Sequence, residues 1–105
     1  MAAYDLYGVK RGTIFEVRLK VEESLNVFFE ERESTYQGGI YYRFGEGELE
    51  KFFLKVNVDP FDGEAVELEF SKYPVLMYVD MTTRSEEIRR LLGVEFCLLR
   101  HELYD

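Results

Sequence analysis

The fold is decided by the stretch from Val75 to Met81, which has the sequence VLMYVDM. Its apolar residues fall on both faces of an extended chain, as expected for a central strand that is covered on both sides. Residues after Met81 have a different, helical spacing of apolar positions. The stretch therefore predicts a buried central strand, with sheet before it and a helix after it.

Before this stretch, apolar and polar residues alternate with a period of two, which is typical of strands with one buried and one solvated face. The alternation is clearest in residues 13–22, and it recurs in residues 25–29, 40–44, 49–58 and 66–70. The links between these segments are short, whereas parallel strands need longer crossovers. We therefore predict antiparallel pairing in a meander.

Three further segments complete the first part of the chain. Residues 4–9 are predicted to add a short edge strand, and residues 30–35 a polar loop. Residues 59–63 contain Pro60 and Gly63. They predict a tight turn, because Pro presets φ and Gly accepts a positive φ.

A helix is predicted over residues 84–92, where Ile88, Leu91 and Leu92 form an apolar stripe. Thr83 stands three residues before Glu86, the spacing of a capping box that satisfies free amides at a helix start. Gly93 is well placed to end this helix. Residues 94–99 predict a final strand, although the end of the chain, through residue 103, fits a helix equally well.

These patterns predict an α+β fold in one compact domain, residues 1–105. It consists of a single twisted, mainly antiparallel sheet of about five to seven strands, with one late α-helix packed on it. No linker, repeat or low-complexity tract indicates a domain boundary. The patterns do not indicate which face of the sheet the helix covers.

Residue content and the N-terminal sequence predict a cytoplasmic protein. Cys97 is the only cysteine, so no internal disulfide can form. Residues 1–5 lack the basic and apolar regions of a secretory signal. The longest apolar run, residues 74–79, is far below the roughly 20 residues that a membrane-spanning helix needs.

Catalytic and metal-binding patterns are sparse, and we predict neither an enzyme nor a cofactor or metal site. Cys97 and His101 would share one face of a helix, but no second Cys or His accompanies them. The acidic turn at residues 59–64 lacks the ligand spacing of a calcium loop. Gly45-Glu46-Gly47 lacks the third glycine or the lysine of a phosphate loop.

The charge of the chain favours a basic protein as its partner. Asp and Glu total 21 against 13 Lys and Arg, a net charge of −8. This surface repels phosphate backbones and anionic membranes, and it attracts a basic protein through complementary fields. Residues 59–69 contain five acidic residues and no basic one. The predicted partner-binding residues in this segment are Asp59, Phe61, Asp62, Glu64, Glu67 and Glu69.

Three aromatic residues are predicted to point away from the core side of their strands: Phe28, Tyr41 and Phe53. Either the late helix covers them, or they form an exposed aromatic patch. Because one helix of about nine residues cannot cover a whole sheet, we expect part of this face to be exposed. Tyr41 and Phe53 are therefore added to the predicted partner-binding residues.

The combined hypothesis is a small acidic binding or inhibitor protein that docks on and neutralises a basic partner, such as a nuclease toxin. Immunity proteins have this size and charge balance, but the comparison is an analogy of size and charge alone. The alternative is a homo-oligomeric structural or assembly protein that uses an exposed strand edge or the aromatic sheet face.

Overall fold

A computed structural model of the protein describes residues 1–104 as one antiparallel sheet with two helices. In chain order the elements are β1 (Ala2–Val9), α1 (Ile14–Leu25), β2 (Glu30–Ser34), β3 (Gly39–Phe44), β4 (Lys51–Val56), β5 (Val75–Thr82), α2 (Ser85–Leu92) and β6 (Cys97–Tyr104). Short 3₁₀ turns occupy Thr35–Gln37 and Leu68–Phe70.

The six strands follow the order β2-β3-β4-β5-β1-β6, and every neighbouring pair is antiparallel. Strands β2 to β5 form an antiparallel meander, in which β3, β4 and β5 correspond to predicted strands. The chain passes from β1 through α1 to the far edge, returns along the meander, and ends in α2 and β6. The α+β class, the antiparallel sheet and the late helix are confirmed.

The core lies between the sheet and the two helices, which pack on the same face. Helix α1 buries Ile14, Val17, Val21 and Leu25, and α2 buries Ile88 and Leu92. The sheet contributes Tyr7, Val9, Tyr42, Phe52, Leu54, Val75, Met77 and Val79. We call this side of the sheet the helix face and the other side the second face.

The predicted strand over residues 13–22 is wrong, because these residues begin α1. Its buried residues follow a helical spacing, whereas Phe15 and Leu19 of the alternating set are about half exposed. Thr13 and Glu16 form a capping box: the Thr13 side chain accepts from the Glu16 amide, and Glu16 accepts from the Thr13 amide. This motif satisfies free amides at the helix start and outweighs the β-favouring alternation.

The segment after α1 also differs from its prediction. Residues 25–29 are not a strand: Leu25 ends α1, and Asn26 caps it in a left-handed conformation. Residues 30–34 form strand β2 instead of a polar loop. An edge strand can be polar throughout, because only its backbone pairs with the sheet and its side chains stay in solvent.

Four smaller predictions need correction. Residues 66–70 are not a strand and include a 3₁₀ turn. Thr83 does not cap α2, because Arg84 occupies the N-cap without a side-chain hydrogen bond. The final strand starts at Cys97, not at residue 94, and the helical alternative for this segment is wrong. Strand β1 lies inside the sheet, between β5 and β6, not at its edge.

The second face of the sheet is partly covered by the irregular chain between β4 and β5. Leu6 and Leu76 are fully buried there. Tyr73 lies so close to Gly8 that a Cβ on this glycine would be 2.6 Å from Tyr73 Cγ. The first half of β5 is therefore buried on both faces, as predicted, but the cover on the second face is loop rather than helix, and Tyr78 and Asp80 are only partly buried there.

Candidate functional site

The acidic segment, residues 59–69, is anchored to the second face by one buried side chain. Asn57 is 5% exposed. Its Nδ2 donates to the carbonyl oxygens of Phe70 and Tyr73, each at 3.0 Å, and its Oδ1 accepts from the Glu67 amide at 3.0 Å. Because this segment does not pair with a strand, its backbone groups need other hydrogen-bond partners. Asn57 supplies three such hydrogen bonds.

Glu67 belongs to this anchor rather than to the free surface. Its carboxylate accepts hydrogen bonds from Arg100 at 2.9 Å and from the Tyr78 hydroxyl at 2.8 Å. Burial opposes ionisation of Glu67, but the bonds from Arg100 and Tyr78 outweigh it, and its pKa lies below the usual value. Burial and the bond to Glu67 raise the pKa of Tyr78.

Residues 59–64 form a rigid loop that projects beyond this anchor. The Asp59 amide donates to the Glu64 carbonyl at 2.7 Å, and the Gly63 amide donates to the Asp59 carbonyl at 2.9 Å. Side chains close the loop further, because Asp59 accepts from the Phe61 amide at 2.8 Å and Asp62 from the Glu64 amide at 2.9 Å. Such Asx turns fix the backbone locally, so the loop is already ordered before any contact with a partner.

Phe61 stands at the tip of this loop beside Tyr36, which sequence reasoning missed. Their ring centroids are 5.6 Å apart, and the two side chains are 71% and 76% exposed. Tyr36 lies in the turn between β2 and β3. A Cβ at Gly38 of this turn would be 3.1 Å from Val56 Cγ2, so the turn packs closely on the end of β4. Only this packing identifies Tyr36, because the two aromatics are 25 positions apart in the chain.

Three carboxylates surround the aromatic pair: Asp59, Asp62 and Glu64. Among the residues that the structure describes, none of the three forms an ion pair. Lys55, whose charge interacts with that of Asp59, is 7% exposed and donates to Gln37 at 2.9 Å. Burial lowers the pKa of Lys55, and Asp59 and Glu67 oppose that shift. We call Asp59, Asp62, Glu64, Phe61 and Tyr36 the acidic tip.

The structure does not place Tyr41 and Phe53 in the acidic tip. Their rings stack at 4.9 Å on the second face, and both are half-buried. Their cross-strand neighbours are Arg32 and Arg43 respectively, so basic side chains flank this stack. Phe28 is not in a strand at all: it lies in the loop after α1 and is 82% exposed. Glu69 is exposed in the 3₁₀ turn that Asn57 holds.

Cys97 and His101 do not form a pair. Both lie in β6, where four residues span about 13 Å. The neighbouring Cys97 side chain raises the pKa of Tyr73. His101 Nδ1 bonds the buried carboxylate of Asp5 at 2.5 Å. Asp5 is 96 positions away in the chain, so no local spacing indicated this partner.

The described part of the chain holds no cluster of three or more metal-ligating side chains. Within residues 1–104, both helices fall short of the length and apolar character that a membrane span requires. The chain matches no protein-family model, and no curated protein is significantly similar to it.

Proposed function

We propose that this chain is a small acidic binding protein that docks on a basic surface of a partner protein through its acidic tip. The observation that carries this proposal is the exposed pair of Phe61 and Tyr36, surrounded by three carboxylates without ion-pair partners among residues 1–104. An aromatic anchor within a charged rim is the arrangement found at binding hot spots.

The order of the loop supports this proposal energetically. Association costs the conformational freedom of every loop that must become fixed. The four hydrogen bonds within residues 59–64 fix this loop in the free protein. Docking of the acidic tip therefore loses little backbone entropy, and more of the contact energy contributes to affinity.

The finer proposal is inhibition of a partner that itself binds phosphate groups, such as a nuclease toxin. Carboxylates at positions normally occupied by phosphates would block the basic site, and complementary charge would accelerate encounter. The net charge of −8 supports this form of capture.

Binding kinetics of matched phenylalanine variants test the docking surface. A basic partner captured from the native source and purified would be measured by surface plasmon resonance against wild type, Phe61→Ala and Phe28→Ala. Both phenylalanines are largely exposed, but only Phe61 lies in the acidic tip. We expect Phe61→Ala to raise the dissociation rate about tenfold or more, and Phe28→Ala to leave it unchanged.

Charge variants test whether the carboxylates of the acidic tip take part in docking. Asp59→Asn combined with Asp62→Asn should lower the association rate at low salt, and the difference should shrink as salt rises. Equal kinetics for wild type, Phe61→Ala and the double Asn variant would place the contact elsewhere and refute the proposal.

A second candidate, self-association, is favoured by the exposed edge strand β6. Leu103 and Tyr104 of this strand are 58% and 51% exposed. The register of β1 and β6 shifts near Leu98 and Arg100, and such a bulge limits the straight edge available for pairing. Sedimentation equilibrium decides this candidate: a dimer that Leu103→Lys dissociates would support it, and a monomer would exclude it.

A further inference from the structure

A second charged region lies at the ends of β1 and α2, and it is basic. Five of the 13 Lys and Arg residues gather here around Val94 and Cys97: Lys10, Arg11, Lys20, Arg89 and Arg90. We call these five residues the basic rim. They line two cavities of about 470 and 550 Å³, which share Val94 and Cys97 in their walls.

The fold brings these residues together from three separate parts of the chain. Lys10 and Arg11 directly follow β1, Lys20 lies on α1, and Arg89 and Arg90 lie in the last turn of α2. Gly8 pairs with Cys97 across β1 and β6, and α1 packs against α2. The basic rim therefore surrounds a site that exists only in the folded chain.

Most of these cations lack an acidic partner. In the part of the chain that the structure describes, only Lys20 of the five forms an ion pair, with Glu95. Lys10 Nζ lies 5.5 Å from the centre of the Tyr73 ring, and Lys10 and Arg11 are both exposed. In a chain with net charge −8, unpaired cations gathered in one place are a local reversal of the overall field.

The smaller of the two cavities combines this charge with an apolar wall. It is lined by Val9, Lys10, Arg11, Lys20, Val94, Glu95 and Cys97, so Glu95 is the one acidic residue facing three basic ones. Val94 is 97% exposed, which leaves its side chain free for contact with a ligand. The cavity is a depression open to solvent, and its volume of about 470 Å³ has room for a small organic molecule.

We propose that this cavity binds a small organic anion. Its carboxylate or phosphate group pairs with Lys10 and Arg11, and its apolar part lies against Val94. A nucleic acid fits less well, because the net charge of −8 repels a long polyanion, whereas a small anion is exposed mainly to the local field. This proposal concerns a different surface from the acidic tip and does not depend on docking there.

Amide chemical shifts in a ¹⁵N-labelled protein test the site. Phenyl phosphate and benzoate are the two anionic probes, and benzyl alcohol is the neutral control of similar shape. We expect the anions to shift amides in residues 9–12 and 94–98 with a dissociation constant of about 1 mM or lower, and benzyl alcohol to shift none of them. The stronger anion of the two identifies the preferred ligand group.

Variants that remove positive charge identify the residues responsible. Lys10→Gln combined with Arg11→Gln should raise the dissociation constant about tenfold or more, because it removes both cations that pair with the anion. Lys72→Gln is the control, since Lys72 is exposed and outside the cavity lining. Independently of any variant, a rise in salt should weaken binding of phenyl phosphate to the wild-type protein.

Three results would overturn the proposal: no shift in these two segments with either anion, the same shifts with benzyl alcohol, or unchanged affinity in a folded double Gln variant. Unchanged affinity on raising salt would do so even if the double variant failed to fold.

Discussion

The acidic tip and the basic rim are opposite in charge and differ in how they are built. The acidic tip takes its loop from one short segment and adds a single residue, Tyr36, from elsewhere. The basic rim collects its five residues from three parts of the chain. A net charge of −8 therefore does not describe the basic rim, because the folded molecule separates its charges into places of opposite sign.

The difference extends to how the charges are supported. The carboxylates of residues 59–69 differ in what they bind: Glu67 is bonded to Arg100 and Tyr78, whereas Asp59 and Asp62 each accept from a backbone amide of the loop. In the basic rim, no cation donates a side-chain hydrogen bond to a backbone group within residues 1–104. We therefore expect substitutions in the two regions to have unequal effects on stability.

The largest effect is expected at Asn57, whose loss would detach the acidic segment and leave the basic rim intact. Asn57→Ala removes one hydrogen bond from each of three backbone groups, although the Phe70 carbonyl also accepts from the Tyr73 amide, and we expect a loss of about 2–4 kcal/mol in the free energy of unfolding. Urea denaturation measures it. The other asparagine, Asn26, caps α1 in a left-handed conformation, so Asn26→Gly should change stability by less than about 0.5 kcal/mol. Equal effects of the two substitutions would show that Asn57 is not the anchor.

An intermediate effect is expected for Glu67→Gln, which weakens the bonds to Arg100 and Tyr78. We expect a loss of about 1–2 kcal/mol at neutral pH, against less than about 0.5 kcal/mol for Glu64→Gln at the acidic tip. Similar losses in both variants would show that Glu67 stabilises the fold no more than Glu64 does.

The pH dependence of stability checks the same residue. The pKa of Glu67 is lower in the folded protein than its usual value of 4.5. Its contribution is therefore present above that value and is lost as the pH falls below it toward the folded pKa. Glu50, whose pKa is also lowered, adds a dependence of the same sign. Burial raises the pKa of Asp80, and Asp80 acts in the opposite direction. The Glu67→Gln variant should lose less stability than wild type over this acid range.

The smallest effects are expected at the exposed apolar side chains of the two regions, Phe61 and Val94. Since they are 71% and 97% exposed, Phe61→Ala and Val94→Ala should each change the unfolding free energy by less than about 0.5 kcal/mol. Thermal and urea denaturation give this value. A loss above about 1 kcal/mol for Phe61→Ala would mean that its ring stabilises the loop and is not available as an anchor.

Much of the sheet was predictable, and the largest error had a visible cause. Strands β3 and β4 follow from their period of two, β5 follows from its apolar residues on both faces, and Gly93 ends α2 as expected. Residues 13–22 alternate like a strand, yet Thr13 and Glu16 have the spacing of a capping box. The same spacing at Thr83 and Glu86 forms no such box. The spacing of Thr and Glu therefore does not by itself predict that a capping box forms, because the helix must also start directly after the Thr.

The candidate sites were predictable only in part. The acidity of residues 59–69 and the turn at Pro60 and Gly63 are local properties, and they located the loop that carries Phe61. The sequence did not predict the hydrogen bond between Arg100 and Glu67, which are 33 positions apart, nor did it predict that Tyr36 lies beside Phe61. Tyr41 and Phe53 point to the second face as predicted. The sequence did not predict their arginine neighbours, because these depend on the register of strand pairing.

The sequence by itself determined the α+β class, the antiparallel meander and the late helix, because period, turn residues and helix ends act over a few neighbouring residues. Only the tertiary structure decided that β1 enters the sheet between β5 and β6, that loop covers the second face, and that five cations surround Val94. These features depend on contacts between segments far apart in the chain. Local sequence patterns determined the helices and strands. Burial of their apolar faces determined how these elements pack, and this packing gathers acidic and basic residues in two separate regions.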